Sequence, residues 1–142
     1  MDDAARREAN KKLLREHFSG GGDTSDFDPA PRLARFADDL KFAMPQMGHS
    51  FEGIDGFAAA MSSVPRNFSF FRQTNVQIHD CLDPDEFIVE ADADAVFRHS
   101  GERYDQHYVL LLRLRDGKIS HYTEYVNTDL LAGFPPQPVP AE

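Results

Sequence analysis

With 142 residues the chain has the size of one domain. Its 41% hydrophobic and 27% charged residues, with 12 Phe and no Trp, match a globular protein with one core and exclude disorder throughout. Fifteen Lys and Arg against 24 Asp and Glu give a net charge of −9, which argues against nucleic acid or an anionic membrane as partner, because clustered basic residues supply that attraction. The single cysteine, Cys81, cannot close an internal disulfide, and no Cys/His spacing resembles a zinc site. Met1-Asp2-Asp3 leads into a mixed-charge run instead of an apolar one, so neither a secretory signal nor a membrane span is expected and the location expected is the cytoplasm.

Taken in chain order, Ala5, Ala9, Leu13, Leu14 and Phe18 recur at helical spacing and predict an amphipathic helix from Asp3 to Phe18, stopped by Gly20-Gly21-Gly22. A loop rich in Gly, Asp, Ser and Pro runs to Pro31, a short helix from Pro31 to about Asp38, and a short strand from Leu40 to Met44. Ile54, Phe57, Ala58 and Met61 predict a further helix from about Gly53 to Ser63, ended by Pro65.

Beyond Pro65 the apolar period changes to two. Strands are expected over Asn67–Cys81, Phe87–Arg98, Tyr104–Arg115 and Lys118–Val126, separated by Leu82-Asp83-Pro84-Asp85, Ser100-Gly101 and the two-residue turn Asp116-Gly117. A short helix is expected from about Thr128. Residues 1–134 form one domain in this reading, with an extended Pro-rich tail over 135–142. Helices followed by a long meander is an α+β pattern: a cone of curved antiparallel sheet wrapped on the N-terminal helices, with an apolar interior suited to a small molecule.

The Asp116-Gly117 turn predicts the register of the last hairpin. A regular ladder puts His107, Val109, Leu111, Arg113 and Arg115 on one face with Lys118, Ser120, Tyr122, Glu124 and Val126. Glu124 and His107 are then diagonal neighbours and a candidate acid/base pair, since burial raises a carboxylic acid's pKa and a nearby histidine lowers it. An ion pair on an outer or dimer face is the alternative. Tyr108 and Tyr125 fall on the opposite face, and Phe42, Met44 and Met47 near the expected mouth. His17 and His99 are expected in solvent, and His49 and His79 have no local partner that suggests a role. The acidic ladder Glu90-Asp92-Asp94 lacks a histidine nearby in sequence, so no metal site is expected, and neither a phosphate-binding loop nor a Gly-x-Ser-x-Gly elbow occurs.

The segments Asn10-Lys11-Lys12-Leu13-Leu14, Asp83-Pro84-Asp85, Tyr104-Asp105-Gln106-His107-Tyr108, Arg115-Asp116-Gly117-Lys118-Ile119 and Thr123-Glu124-Tyr125-Val126-Asn127 resemble the SnoaL-like branch of the nuclear transport factor 2-like superfamily, and within it the phenazine biosynthesis A/B proteins. The resemblance spans residues 5 to 133. It implies the cone fold, a homodimer, no cofactor, and acid/base chemistry on a small apolar or aromatic molecule: isomerisation, cyclisation or condensation. Glu124 corresponds to the family's acid/base glutamate, with His107 beside it as an orienting or proton-transferring group. Tyr104, Tyr108, Tyr122, Asn127, Phe42 and Met44 are the expected substrate contacts. Two positions depart from the pattern. Asn127 stands where many related cyclases and isomerases have an aspartate, and an amide cannot act as a base. Phe57-Ala58-Ala59-Ala60-Met61 lacks the histidine that the phenazine proteins carry there. A non-catalytic ligand-binding or dimerisation module of the same fold is the alternative reading.

Overall fold

The computed structural model describes residues 2–135; the expected Pro-rich tail lies outside the described residues apart from Pro135. Helix α1 spans Asp3–His17, capped by the Asp2 carboxylate, which accepts from the Ala5 amide at 2.7 Å. Leu14 turns its side chain to the core, and Phe18 follows directly. On the same face, one and two turns before Leu14, α1 is fastened by polar contacts to the turn at Pro84 and Asp85. The buried Asn10 amide donates to the Pro84 carbonyl at 3.1 Å and to the Asp85 carboxylate at 3.0 Å, and Arg6 pairs with Asp85 at 3.0 Å.

After α1 come β1 (Gly21–Asp23), the one-turn helix α2 (Ala30–Leu33), β2 (Phe36–Met44), β3 (His49–Glu52), and the helices α3 (Ile54–Ser62) and α4 (Val64–Asn67). The long strands follow: β4 (Phe68–Asp80), β5 (Glu86–Phe97), β6 (Arg103–Tyr104), β7 (His107–Arg115) and β8 (Lys118–Val126). A 3₁₀ segment over Thr128–Gly133 closes the described chain. No helix among the described residues is long and apolar enough to cross a membrane.

The strands form one curved, unclosed sheet in the order β1-β4-β5-β7-β8-β2-β3, with β6 added to β5. All pairings are antiparallel except that of β2 with β8, which is parallel and returns the N-terminal half to the far side of the meander. The concave face buries Phe87, Val89, Ala91, Ala93, Ala95 and Phe97 of β5, Leu110, Leu112 and Leu114 of β7, and Ile119 and Tyr122 of β8. The small alanines Ala93 and Ala95 of β5 are covered by the rings of Phe68, Phe97 and Tyr104.

Several expectations are corrected. The second helix is a single turn, and β2 starts at Phe36, because Phe36 pairs with Ile119 of β8 and is itself fully buried. An irregularity between Phe36 and Lys41 breaks the period-two pattern that would have announced this strand. Pro65 opens α4 within the first turn instead of ending the chain's helical part, as its fixed φ and missing N–H allow. The edge strands β1 and β3 were not expected. At β1 the glycine run is not only a stop: Gly21 has φ +100°, and a Cβ there would lie 2.6 Å from the Phe71 carbonyl oxygen, so only glycine lets the strand approach β4. The Tyr104–Arg115 strand is divided at Asp105-Gln106, although Ala93 still bonds the Gln106 carbonyl at 2.8 Å and the register with β5 continues through the break.

The largest correction concerns the β7–β8 hairpin. Arg115 pairs with Lys118 and Leu114 with Ile119, but Arg113 then pairs with His121, leaving Ser120 as an extra residue in a β-bulge. Beyond the bulge the register is displaced by one: Tyr122 stands opposite Leu112, Glu124 opposite Leu110 and Val126 opposite Tyr108. A displacement of one exchanges faces. Glu124 therefore lies on the concave face with Tyr108, and His107 lies on the convex face.

Candidate functional site

A cavity of about 400 Å³ occupies the concave side of the sheet, covered by α2, α3, α4 and the end of α1. That volume suits a small organic molecule. Its walls are chiefly aromatic. Tyr122 stacks on Phe42 with ring centres 5.4 Å apart and planes within 25°, and Phe42 stacks in turn on Phe51 at 5.6 Å and 22°. Phe57 of α3 closes on Phe42 and Tyr122 at 5.3 and 5.8 Å. Across the cavity, Phe68, Phe71 and Phe134 line the side nearer β4. Rings thus line the cavity from two sides, an apolar slot that favours an apolar or aromatic ligand.

Into this apolar slot β8 delivers Glu124. Among the described residues its carboxylate has no hydrogen bond and no cation within 4 Å, and burial alone pushes its pKa up to about 7. Two phenols share its surroundings. Tyr108 and Tyr122 both line the cavity; burial holds both hydroxyls protonated far above neutral pH, helped at Tyr108 by the neighbouring Tyr104, to which it is hydrogen-bonded, and at both by the Glu124 charge. The site thus holds one carboxylic acid that can exist in either protonation state near neutrality, beside hydroxyls that remain donors.

Of the expected contacts, Phe42, Met44, Tyr108 and Tyr122 line the cavity with Glu124. Tyr104 does not. It is buried among Phe68, Phe97 and Phe134, its hydroxyl accepts from Gln106 Nε2 at 3.1 Å, and it stands behind Tyr108. Asn127 is exposed, and its side chain accepts from the Asp129 amide at 3.1 Å, capping the terminal 3₁₀ segment. The residue that binds the strand ends there is Gln106, only 1% exposed. Its amide nitrogen donates to Tyr104 Oη and the Asn127 carbonyl, and its oxygen accepts from the His107 and Asn127 amides.

His107 and Glu124 do not meet, because the Ser120 bulge sends their side chains to opposite faces. On the convex face His107 bonds Asp92 at 2.6 Å and lies 3.5 Å from Glu90, which also bonds His79 at 2.8 Å. These contacts raise the His107 pKa, with the Asp92 hydrogen bond the largest cause. Histidines absent from the sequence neighbourhood of the acidic ladder are thus brought to it by the flanking strands, which only the strand pairing reveals.

His17, Arg32, Gln73 and His49 also line the cavity, none of them expected there. His17, expected in solvent, is 3% exposed, edge-on to Phe18 and Phe36 at 5.0 and 5.1 Å. Burial, reinforced by Arg32 and Arg35, lowers its pKa to about 3, so it is neutral. Arg32, Gln73, His49, Ser63 and Asn67 add to the polar lining. For His17 the helical phase offered a clue, since it stands three residues beyond the buried Leu14.

The sequence matches the family model of the SnoaL-like domain over residues 15–122. A PhzA/B-like protein of Pseudomonas aeruginosa, itself uncharacterised, is 35% identical over 89 residues; the match covers 63% of this chain and 62% of that protein's length. Among solved structures, a phenazine biosynthesis-related protein of Pseudomonas aeruginosa superposes with a TM-score of 0.78 at 20% identity, covering 99% of this chain and 96% of the other. A candidate polyketide cyclase of Xanthomonas campestris superposes at 0.74 with 16% identity, covering 90% and 97%. At these identities the structural likeness establishes the shared fold.

Proposed function

The chain belongs to the SnoaL-like domain family, and on that footing we propose that it is a small-molecule enzyme using Glu124 as general acid and base on an apolar or aromatic substrate. The supporting observation is the unpaired Glu124 carboxyl in an aromatic cavity, with its pKa raised to about 7. At neutral pH both protonation states are populated. Glutamate can take a proton from a carbon next to a carbonyl, and the resulting acid can return it at another atom. Tyr122 is placed to donate a hydrogen bond to the oxygen on which negative charge develops, and the aromatic walls exclude the water that would weaken that bond. Such chemistry serves isomerisation, cyclisation or condensation, and it fits the names of the structural neighbours. His107 has no part in it, since it lies across the sheet.

The proposal extends to a homodimer formed through the convex face. There Ile88 and Leu111 are 36% and 41% exposed, next to Val109 and Tyr125 and rimmed by residues of both signs such as Glu86, Arg113, Asp94 and Arg103. A two-fold axis could place opposite charges against one another around that apolar centre.

The test is deuterium incorporation from D₂O into 1-tetralone, an aromatic ketone with exchangeable protons beside its carbonyl, followed by proton NMR. The wild-type chain is expected to accelerate exchange and Glu124→Gln to abolish the acceleration. Equal rates with both proteins would remove Glu124 from the chemistry.

A further inference from the structure

The convex face of the sheet is graded in charge along its strands. At the end nearest the β7–β8 turn, Lys41 of β2, His121 of β8 and Arg113 of β7 stand side by side, with Arg115 and Lys118 beyond them. Glu86 and Asp39 pair with Arg113 and Arg115, whereas among the described residues the exposed Lys41 and Lys118 have no carboxylate within 4 Å. His121 reports the sign of this end: burial, then Lys41, Arg113 and Arg115, lower its pKa. Ala43, Thr123, Leu111 and Ile88 form the next row, followed by Tyr125 and Val109 level with Glu90. At the far end Asp92 and Asp94 of β5 and the neighbouring Asp105 join Glu90, and Arg72 and Arg103 are the cations there.

Two histidines are set into that acidic end. His107 is held at both ring nitrogens: Nδ1 bonds Asp92 at 2.6 Å, and Nε2 lies 3.5 Å from Glu90. A neutral imidazole has one N–H and would turn a lone pair toward one of the two carboxylates, so this grip is built for the cation. His79, opposite Ile88 on β4, bonds the other oxygen of Glu90 at 2.8 Å. The surrounding charges are occupied elsewhere. Arg72 and Arg103 are taken by Asp94 and Asp105, Asp80 beside His79 pairs with Lys11 of α1 at 3.1 Å, and Asp92 otherwise accepts from Asn75 at 2.8 Å. The hydrogen bonds of His79 and His107 hold the Glu90 and Asp92 carboxyls below their ordinary pKa, so both stay ionised while the rings titrate. The acidic end therefore carries its full negative charge only when both rings have lost a proton.

We infer that this network makes the association of two copies depend on pH: the copies pair antiparallel, basic end on acidic end, and protonation of His79 and His107 loosens the pair. This rests on the convex-face homodimer proposed above. A face with opposite charges at its two ends and an apolar centre is complementary to its own reversed copy. A two-fold axis lying in the interface and across the strands sets apolar rows together and joins opposite charges twice, whereas an axis along the strands puts like ends together. Cations of a second copy disfavour the protonated rings, so association releases protons and weakens as pH falls through their titration.

The test is sedimentation velocity over a dilution series at pH 8.5 and pH 5.5, with circular dichroism at each pH to verify folding. The chains compared are the wild type, His79→Gln/His107→Gln, Lys41→Glu/Lys118→Glu and Glu124→Gln. The wild type is expected to dimerise about tenfold or more tightly at pH 8.5 than at pH 5.5. The double histidine variant should keep at pH 5.5 the affinity it has at pH 8.5. The double lysine variant should be weakened about tenfold at pH 8.5. Glu124→Gln should keep the wild-type pH dependence, because its side chain lies on the concave face. A wild-type dimer of equal strength at both pH values, the same pH dependence in the double histidine variant, or its loss in Glu124→Gln would overturn the switch while leaving the dimer. An undiminished dimer in Lys41→Glu/Lys118→Glu would overturn the antiparallel pairing and the switch built on it. A monomer at every concentration and both pH values would overturn the convex-face dimer itself.

Discussion

The Ser120 hydroxyl donates to the Arg113 carbonyl at 3.1 Å across the β7–β8 bulge, and this junction decides which side of the sheet Glu124 occupies. Ser120 is 2% exposed and is the residue that the regular ladder cannot accommodate. Were Ser120 paired regularly with Arg113 instead of bulged, Tyr122 and Glu124 would face outward with Arg113. Deleting Ser120 joins Ile119 directly to His121 and gives a regular ladder with Tyr122 and Glu124 still on the concave face, so the variant is expected to keep a cooperative thermal transition and the raised Glu124 pKa. Ser120→Ala keeps the residue count and should fold. Its loss of one buried hydrogen bond should cost about 1 kcal/mol, measured by urea unfolding.

Opposite faces also predict opposite consequences. His107→Ala removes the contacts with Asp92 and Glu90 on the convex face and should leave turnover within about twofold of wild type, since nothing connects that ring to the cavity. Glu124→Gln should lose turnover by about a hundredfold or more, the range that a positioned acid/base group contributes. Parallel kinetic assays of both variants on one substrate provide the check.

The raised pKa of Glu124 has a defined sign for stability. In the unfolded chain the carboxyl titrates near its model value of 4.5, and in the fold near 7. Between those values the native state holds a proton that the unfolded state has released, so stability is greatest below 4.5, falls as pH rises through the window, and levels off above 7. The difference corresponds to about 3 kcal/mol. Glu124→Gln should remove this slope and be more stable than wild type at pH 8 by up to that amount. Urea denaturation at pH 5 and pH 8 would reveal it.

Asn10 tests how the helix is held to the sheet. Its amide satisfies the Pro84 carbonyl and the Asp85 carboxylate in the β4–β5 turn. Asn10→Ala leaves those acceptors with fewer partners at a buried position and should destabilise by about 1–3 kcal/mol. Asn10→Leu, which adds apolar bulk but no donor, should not restore stability.

The long strands, the helices α1 and α3, and the α+β class were legible because their periodicities are uninterrupted over many residues. What escaped was set by interruptions. One extra residue in β8 reversed the partners predicted for Glu124, and the irregularity after Phe36 hid the start of β2. The edge strands β1 and β3 are three and four residues long, too short to show a period. At the site, Phe42, Met44, Tyr108, Tyr122 and Glu124, all named from the sequence, line the cavity. Tyr104 was displaced behind Tyr108, and Asn127 became a cap. His17, Arg32 and Gln73 come from three separate elements and meet only when the sheet curves, so no local spacing could unite them.

Glu124's proton carries the account, and it can be observed directly. Carbon-13 NMR of the glutamate side-chain carboxyls, with the Glu124 signal assigned by its absence in Glu124→Gln, follows its titration from pH 3 to pH 9. A midpoint at about 7 is predicted, matching an acid isolated by burial in an aromatic cavity. A midpoint near the ordinary 4.5 would mean that the carboxyl is solvated or paired, and would contradict its role as the site's acid and base.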